Sequence, residues 1–326
     1  MRRALAAALV ALAASLAGPG AAQALVRAVE TPGFTVADLE RASAFFRGVL
    51  DFEPATVFEA ADAAGLEQVP GARVRVARLR LGDERIELVE YPARGGRPIP
   101  PDLRSNDLSF QHVAIVVTDM DTAYARLRAH DVQHVSSSPQ TLPATIPAAA
   151  GIRAFYFRDP DGHNLELIWY PPGKGDPRWQ ARPTGRLFLG IDHTAIAVGD
   201  TARSLAFYRD ALGLRVAGES ENAGTEQEHL NGVFASRVRI TGLRAAAGPG
   251  VEFLDYLAPA GGRPLPPDLR ADDLLSWRTT LAVDDADADC RVLGSEAVAV
   301  ERTAWGFARG CLVRDPDGHA LRLVER

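Results

Sequence analysis

Two histidines and two glutamates occupy matching places in two copies of one sequence pattern. His112 begins the run HVAIVVTD and His193 begins HTAIAVGD, and each run has the β-branched residues of a short strand. Each copy ends in a second strand-like run, which carries Glu166 in the first copy and Glu252 in the second. Two imidazoles and two carboxylates form a mixed donor set that suits Zn, Ni, Co, Mn or Fe(II). We therefore expect one divalent metal ion, held by His112, Glu166, His193 and Glu252.

An ion in such a site supports proton transfer next to a carbonyl. It can accept two neighbouring oxygens of a substrate and, as a Lewis acid, stabilise an enolate. A glutamate can then move the proton, and the sequence does not choose between Glu166 and Glu252 as that catalytic base. A single histidine at the start of a strand more often has a structural role, and a glutamate among alternating apolar residues usually faces solvent. The matching positions in two repeats favour the metal site over both alternatives.

The chain repeats a unit of one strand, an amphipathic helix and three further strands four times. The segments GGRPIPPDLRSNDL at 95–108 and GGRPLPPDLRADDL at 261–274 are nearly identical, and RDPDGH occurs twice. Only a tandem duplication plausibly explains such pairs. D-P-D-G between apolar strands also predicts a hairpin turn, because Pro fixes one φ and Gly adopts a positive φ. His163 and His319 end these turns, and we expect both at the surface.

The N-terminal residues have the pattern of a secretory signal peptide. Arg2 and Arg3 precede an apolar run that ends in a small-residue cleavage motif. We predict four segments, which are a signal peptide at 1–24, a first two-unit domain at 25–170, a Pro- and Gly-rich linker at 171–186 and a second two-unit domain at 187–326. The mature protein would then be periplasmic or secreted.

Composition narrows the class of protein further. The 326 residues are 47% hydrophobic and 24% charged, with a formal net charge of −6, which is ordinary for a soluble globular chain. No basic stripe suggests nucleic acid as a partner, and no later stretch is apolar enough to span a membrane. Cys290 and Cys311 lie 21 residues apart. They could pair in an oxidising compartment, or remain two small buried hydrophobic residues.

These motifs resemble those of the vicinal oxygen chelate superfamily, which includes glyoxalase I, methylmalonyl-CoA epimerase, extradiol dioxygenases and bleomycin and fosfomycin resistance proteins. The resemblance rests on H-x-x-x-x-V-x-D at 112–119 and 193–200 and on D-P-D-G-x-x-x-E-L at 159–167. It implies an α+β fold of four βαβββ modules, arranged as two glyoxalase-like domains with U-shaped mixed sheets. Two modules would form each cup, and each module would contribute one residue from its first strand and one from its last.

The ligand positions of the four modules predict which modules share a cup. The first-strand positions are Thr31, His112, His193 and Arg278, and the last-strand positions are Glu87, Glu166, Glu252 and Arg322. Neither pair of neighbouring modules has a complete ligand set, whereas the two inner modules together have all four good ligands. We therefore expect the inner modules to form a metal-binding cup, as in monomeric four-module glyoxalase I proteins. In the outer cup, an ion pair between the arginines and Glu87 would replace the metal, although an arginine pair could also hold an anion.

Three functions remain open for the inner cup. The leading one is an exported, divalent-metal-dependent lyase or isomerase of the glyoxalase or epimerase type, acting on a small substrate with adjacent oxygens. Nothing in the sequence resembles a glutathione or coenzyme A pocket. The alternative is an Fe(II) extradiol-type dioxygenase, which would use three of the ligands with His229 or Tyr156 as acid or base. The third is a non-catalytic small-molecule binding protein of the resistance type. A monomer could carry out any of them.

Overall fold

The computed structural model describes residues 26–60, 66–67, 69, 71–181 and 185–326. The predicted signal peptide at 1–24 lies outside these residues. Within them, no helix combines the length and the apolar character needed to cross a membrane. The described chain is α+β, with two mixed sheets and short helices, and this confirms the predicted fold class.

The first half of the chain forms two βαβββ modules. The first consists of β1 (Ala28–Thr35), α1 (Leu39–Leu50), β2 (Glu53–Ala60), β3 (Val74–Leu81) and β4 (Glu84–Glu90). The second consists of β5 (Gln111–Val117), α2 (Met120–Ala129), β6 (Gln133–His134), β7 (Gln140–Thr141), β8 (Arg153–Arg158) and β9 (Asn164–Trp169). The second strand of this module is therefore reduced to two short pieces.

The second half repeats the arrangement with extra helices. The third module consists of β10 (Phe188–Val198), α3 (Thr201–Leu205) with a π-helical extension (Ala206–Ala211), β11 (Arg215–Ala223), α4 (Thr225–Asn231), β12 (Arg237–Arg244) and β13 (Gly250–Ala258). The fourth consists of β14 (Trp277–Val283), α5 (Ala286–Val292), β15 (Val298–Ala299), α6 (Arg302–Trp305), β16 (Arg309–Arg314) and β17 (Ala320–Glu325). A single 3₁₀ turn (Pro177–Trp179) lies in the predicted linker.

An aspartate caps the first helix of every module. The side chain accepts a hydrogen bond from the backbone N–H three residues ahead, which satisfies one of the free donors at the helix N-terminus. The four caps are Asp38, Asp119, Asp200 and Asp285. Because each cap lies at the end of the first strand, it fixes where that strand stops and where its ligand position lies.

The inner modules share one sheet and the outer modules share the other. The nine-stranded sheet has the order β11-β12-β13-β10-β5-β9-β8-β6, and its ninth strand, β7, also pairs with β8. The first strands β5 and β10 are antiparallel at its centre. The eight-stranded sheet has the order β15-β16-β17-β14-β1-β4-β3-β2. This confirms the predicted pairing of the inner modules. The boundaries at residues 25, 170 and 187 remain predictions, and each sheet contains strands from both halves of the chain.

Modules that are neighbours in the chain share a hydrophobic core. Phe34 and Phe46 of the first module pack in one buried cluster with Ile115 and Leu127 of the second. The third and fourth modules form an equivalent cluster, in which Cys290 and Cys311 are joined by a disulfide. The disulfide decides between the two alternatives for these cysteines. The two sheets are thus held together by the cores on their helical sides.

The histidines of the two D-P-D-G turns are buried, so their predicted surface position is wrong. His163 Nδ1 lies 2.8 Å from Asp159 Oδ2, and its Nε2 lies 2.9 Å from the carbonyl oxygen of Leu274. His319 makes the equivalent contact with the carbonyl oxygen of Leu108, at 2.8 Å. Leu108 and Leu274 belong to the two GGRP segments. Each turn is therefore covered by the long connection of the other half, a contact that local turn chemistry does not predict.

Candidate metal centre

The register of the inner sheet places all four predicted ligands on one face. His193 lies beside Ala114 on the neighbouring strand, and Ala114 lies beside Glu166. His112 is two residues from Ala114, so it points to the same side, because side chains alternate along a strand. On the other flank His193 lies beside Gly250, two residues before Glu252. The antiparallel pair β5 and β10 therefore brings two equivalent His/Glu sets together.

Both histidines point toward the same carboxylate oxygen of Glu166. His112 Nε2 lies 3.2 Å from Glu166 Oε2, and His193 Nε2 lies 3.5 Å from the same atom. One ligand atom from each residue falls within 4.8 Å of the others, and all three residues are buried. This is the spacing expected of side chains that surround a single ion.

Glu252 stands to one side of this group. Its Oε1 lies 3.5 Å from His193 Nε2, and its side chain is 23% exposed, against 5% for Glu166. It accepts no hydrogen bond from the described part of the chain, and it borders the open cavity. The structure thus distinguishes two glutamates that the sequence could not. Glu166 is enclosed by both histidines, whereas Glu252 faces the space in which a substrate would lie.

Asp192 orients His193. Its Oδ2 lies 2.9 Å from His193 Nδ1, so that Nδ1 donates and Nε2 is left facing Glu166. Arg244 holds Asp192 through its carboxylate at 2.9 Å and its backbone oxygen at 2.8 Å. Trp179 Nε1 donates to Asp192 Oδ1 at 2.8 Å. A carboxylate on the far nitrogen of a ligating histidine fixes its tautomer and raises its basicity.

These orienting residues were missed in the sequence. Asp192 directly precedes His193, which was the one available signal. The residue before His112 is Gln111, whose Nε2 donates instead to Thr194 Oγ1 at 3.1 Å. The repeat is therefore not symmetric at this position. Trp179 comes from the predicted linker at 171–186, and the sequence suggested that it shapes the mouth of the cup or packs, but not that it contacts Asp192.

The donor set fits a divalent ion. His193 Nε2 is buried without a hydrogen-bond partner among the described residues, although two carboxylates lie nearby. With an ion bound, the neutral imidazole that donates from Nδ1 to Asp192 would present its Nε2 lone pair to that ion, and the ion would lie between Nε2 and the carboxylate oxygens. His112, Glu166 and His193 would hold such an ion, and Glu252 is close enough to join them.

The two glutamates also differ in their pKa. Burial would raise the pKa of Glu166, but the hydrogen bond with His112 and the nearby imidazole of His193 hold it below its usual range. Burial raises the pKa of Glu252, and its contact with the positive charge of His193 only partly opposes this. For His193, burial acts to lower the pKa, while the charge of Glu252 and the hydrogen bond to Asp192 raise it well above its ordinary value.

The site opens into a cavity of about 560 Å³. Tyr156 lines it and packs its ring against His112, with 4.8 Å between ring centroids. Burial raises the pKa of Tyr156 well above its ordinary value, so its hydroxyl stays protonated. His229 is exposed on α4 and does not line the cavity, so of the two residues considered as acid or base of a dioxygenase only Tyr156 lies at the site.

The outer cup contains ion pairs at the equivalent positions. Arg322 Nη1 lies 2.7 Å from Glu87 Oε1, as predicted. Arg278 instead contacts Glu67, at 2.9 Å between Nε and Oε2, and Arg322 also pairs with Glu67. Glu67 was not predicted, because it lies between β2 and β3 and outside the first-strand and last-strand positions that were compared. Thr31 is buried beside the cavity of this cup and pairs with no cation.

Comparisons with known proteins agree with this architecture. The family model of the Glyoxalase/Bleomycin resistance protein/Dioxygenase superfamily matches residues 28–167 and 190–323. A 2-epi-5-epi-valiolone epimerase from Actinomyces sp is 39% identical over 153 residues, which are 45% of this chain and 81% of that protein. A lactoylglutathione lyase from Haemophilus influenzae is 26% identical over 146 residues, covering 42% of this chain and 93% of that protein. Both relatives are enzymes.

Solved structures show the same fold. A mutant of glyoxalase I from Zea mays superposes with a TM-score of 0.62 at 14% identity, covering 91% of this chain and 93% of the other. A putative dioxygenase from Bacillus subtilis gives a TM-score of 0.58 at 14% identity, covering 93% and 86%. At such identities the likeness concerns the fold alone. With both halves matched by the family model, the chain belongs to the Glyoxalase/Bleomycin resistance protein/Dioxygenase superfamily.

Proposed function

We propose that the protein is an exported, divalent-metal-dependent lyase or isomerase that moves a proton on a carbon next to a carbonyl. The observation that carries this proposal is the convergence of His112, His193 and Glu166, with Glu252 free at the edge of the cavity. The name of the 39% identical relative, an epimerase, supports proton transfer as the reaction. The lactoylglutathione lyases among the relatives support the same class.

The residues of the inner cup have different roles in this reaction. His112, His193 and Glu166 would hold a divalent ion, which would supply Lewis acidity to the carbonyl oxygen of a bound substrate. Glu252 takes the proton from the neighbouring carbon, and the C–H electron pair moves toward the carbonyl oxygen. Return of a proton to the opposite face of the same carbon completes an epimerisation. Delivery of the proton to the former carbonyl carbon of a 2-hydroxy carbonyl substrate, with transfer of the hydroxyl proton to the former carbonyl oxygen, completes an isomerisation. Tyr156 stays protonated beside His112 and can donate a hydrogen bond within the cavity.

The experiment compares metal content with hydrogen exchange. The wild type should retain about one divalent ion per chain, and it should catalyse exchange of the hydrogen next to a substrate carbonyl in D₂O. A His112→Ala, His193→Ala double variant should lose the ion. Glu252→Gln should keep the ion and lose exchange, whereas Glu166→Gln should weaken binding of the ion itself. Loss of the ion in Glu252→Gln and not in Glu166→Gln would reverse the assignment.

A dioxygenase is the second candidate, because one specific observation favours it. Two histidines and one carboxylate form the compact group, which is the ligand set of non-haem Fe(II) oxygenases. Glu252 would then act as a base near the open positions. Oxygen consumption by the Fe(II)-loaded protein with a catechol, without hydrogen exchange, would replace the isomerase proposal. Ligand binding that persists in Glu252→Gln when the wild type shows neither reaction would indicate a binding protein.

Export is part of the proposal. The disulfide between Cys290 and Cys311 supports an oxidising compartment, since such bonds are rare in the reducing cytosol of most organisms. Expression with the native N-terminus in a bacterial host, followed by fractionation and N-terminal sequencing, tests it. A mature chain that begins at Leu25 in the periplasmic or secreted fraction is expected. We also propose that the protein functions as a monomer, because one chain supplies every residue of the inner cup.

A further inference from the structure

The charges that line the inner cavity restrict what it can bind. Five of the described lining residues carry carboxylates, namely Glu166, Asp176, Asp192, Glu219 and Glu252. The same part of the chain contributes a single arginine, Arg244, and no lysine. Arg244 is committed to Asp192 through its ion pair and its bond to the backbone oxygen. Among the described residues of the lining, no arginine or lysine is therefore available to pair with an anionic substrate.

A bound ion does not change this balance. Its two positive charges are matched by Glu166 and Glu252, and Asp192 is matched by Arg244. Glu219 is exposed on β11 near the cavity, with no cation beside it in the described structure, and Asp176 lies 3.6 Å from Arg178. A phosphate or carboxylate that entered would lose its hydration without gaining a counter-charge, and an unpaired buried charge costs several kcal/mol.

Uncharged polar groups form another part of the wall. Asn222 Nδ2 donates to Gln227 Oε1 at 3.0 Å, and Gln227 Nε2 donates to Asn231 Oδ1 at 2.8 Å. This chain of amides leaves Asn222 Oδ1 buried and without a partner among the described residues. Asn222 and Gln227 both line the cavity. A buried acceptor of this kind requires a donor, and the hydroxyl of a ligand can supply one.

Apolar residues complete the lining. Leu142, Ile152, Leu230 and Ile240 cover another part of the cavity, and apolar side chains of this kind suit the carbon face of a compact molecule. The volume of about 560 Å³ is typical of a small-molecule site, where a few placed polar groups set orientation. The lining thus combines apolar surface, neutral hydrogen-bonding groups and unopposed negative charge.

We propose that the inner cup takes an uncharged, polyhydroxylated carbonyl compound and discriminates against phosphorylated, coenzyme A-linked and glutathione-linked substrates. This inference rests on the proposed function, since it names the substrate class of the same site. One hydroxyl of the substrate donates to Asn222 Oδ1, and the carbonyl with its neighbouring oxygen lies toward His193 and Glu252. The exposed carboxylate of Glu219 repels anions at the cavity.

The test uses the metal-loaded protein and three probes. Scyllo-inosose is an uncharged polyhydroxylated ketone, 5-keto-gluconate is an anion of comparable size, and S-lactoylglutathione is a larger anionic thioester. Affinity is measured by calorimetry, and hydrogen exchange next to the carbonyl is measured by NMR in D₂O. We expect inosose to bind at least about tenfold more tightly than either anion, which corresponds to roughly 1.4 kcal/mol.

Two matched charge changes on β11 test the cause. Glu219→Arg places a cation at the cavity and should strengthen ketogluconate binding by about tenfold. Glu221→Arg makes the same change on the same strand, outside the cavity lining. It also removes an exposed ion pair with Arg237, and it should leave ketogluconate affinity unchanged. Asn222→Ala should weaken inosose binding by about tenfold. The metal content should stay the same in all three variants, because none of these positions is a candidate metal ligand.

The outcomes separate this proposal from the proposed function. Preference for either anion, or no saturable binding of inosose, overturns the substrate class even if exchange occurs. Selective binding of inosose without hydrogen exchange in any probe would support the substrate class and contradict the proposed proton-transfer reaction. Equal effects of Glu219→Arg and Glu221→Arg would show that general surface charge, and not the cavity, decides the preference.

Discussion

Trp179 Nε1 donates a hydrogen bond of 2.8 Å to Asp192 Oδ1, and this joins the predicted linker to the candidate metal centre. Asp192 in turn holds His193 by its Nδ1. The ring of Trp179 is covered by the guanidinium of Arg178, which lies 4.0 Å from the ring centroid and pairs with Glu84 at 2.6 Å. The segment between the two halves of the chain thus positions a ligand instead of merely connecting domains.

Trp179→Phe should lower metal affinity while the fold is kept. The variant retains an aromatic ring but leaves Asp192 Oδ1 without its donor, so His193 is held less firmly. Loss of such an orienting partner typically costs about 10- to 100-fold in metal affinity. Competition with a chromogenic chelator measures the change. Trp277→Phe serves as the control, because the indole of Trp277 packs on Phe34 in the other sheet. A loss of equal size in both variants would contradict the positioning role.

Much of the candidate site followed from the sequence because the repeat could be counted. The spacing between each capping aspartate and its first strand identified His112 and His193 as equivalent positions. Pairing of the inner modules followed because only that pairing collects all the good ligands. Glu252 was expected among the ligands, and the structure leaves it nearest the cavity, 3.5 Å from His193. That distinction depends on how two strands approach in space, which spacing along the chain does not contain.

What the sequence did not predict lies where the two halves differ or touch. Asp192 has Gln111 as its counterpart, so the repeat offered no second copy to reveal it. His163 looked like a surface turn residue because its contact with Leu274 bridges 111 residues of chain. Glu67 lies between β2 and β3, outside the first-strand and last-strand positions that the repeat identified. Contacts between distant segments of this kind decide burial, and local patterns do not record them.

Arg322→Met should destabilise the outer cup strongly. The variant leaves Glu87 and Glu67 buried with too little positive charge, and removal of one partner from a buried pair costs about 3–5 kcal/mol. Chemical unfolding measures the free energy of unfolding. Arg326→Met removes an arginine that borders the same cavity but is 39% exposed and pairs with Glu30, so its cost should stay below about 1 kcal/mol. A similar loss of unfolding free energy in the two variants would mean that burial of the outer ion pairs has little influence on stability.

Acid should weaken the ion pair between Glu87 and Arg322 and lower the stability of the protein. Burial would raise the pKa of Glu87, but the charges of Arg322 and Arg78 more than offset this and lower it from 4.5 to about 2. A folded pKa below the unfolded one gives stability that is present above pH 4.5 and is lost as the pH falls toward 2. The loss amounts to about 3 kcal/mol when complete.

Glu87→Gln provides the comparison for this acid effect. The variant should be less stable than the wild type at neutral pH, and its free energy of unfolding should fall less between pH 4.5 and pH 2. Unfolding by denaturant at a series of pH values gives both curves. Parallel curves across that window would show that Glu87 does not titrate as its surroundings indicate.

The disulfide should stabilise the fourth module without affecting the metal centre. Cys290 and Cys311 are both buried and lie 21 residues apart, and a cross-link that closes a loop of this size contributes about 3 kcal/mol. Reduction of the wild type, confirmed by thiol titration in denaturant, should therefore lower its unfolding free energy. A Cys290→Ala, Cys311→Ala double variant should be less stable and insensitive to reductant.

Metal affinity should not change in either case, because the bond lies in the core of the third and fourth modules and the ligands lie on the opposite face of the inner sheet. A fully reduced wild type as stable as the oxidised form would show that the bond adds no stability.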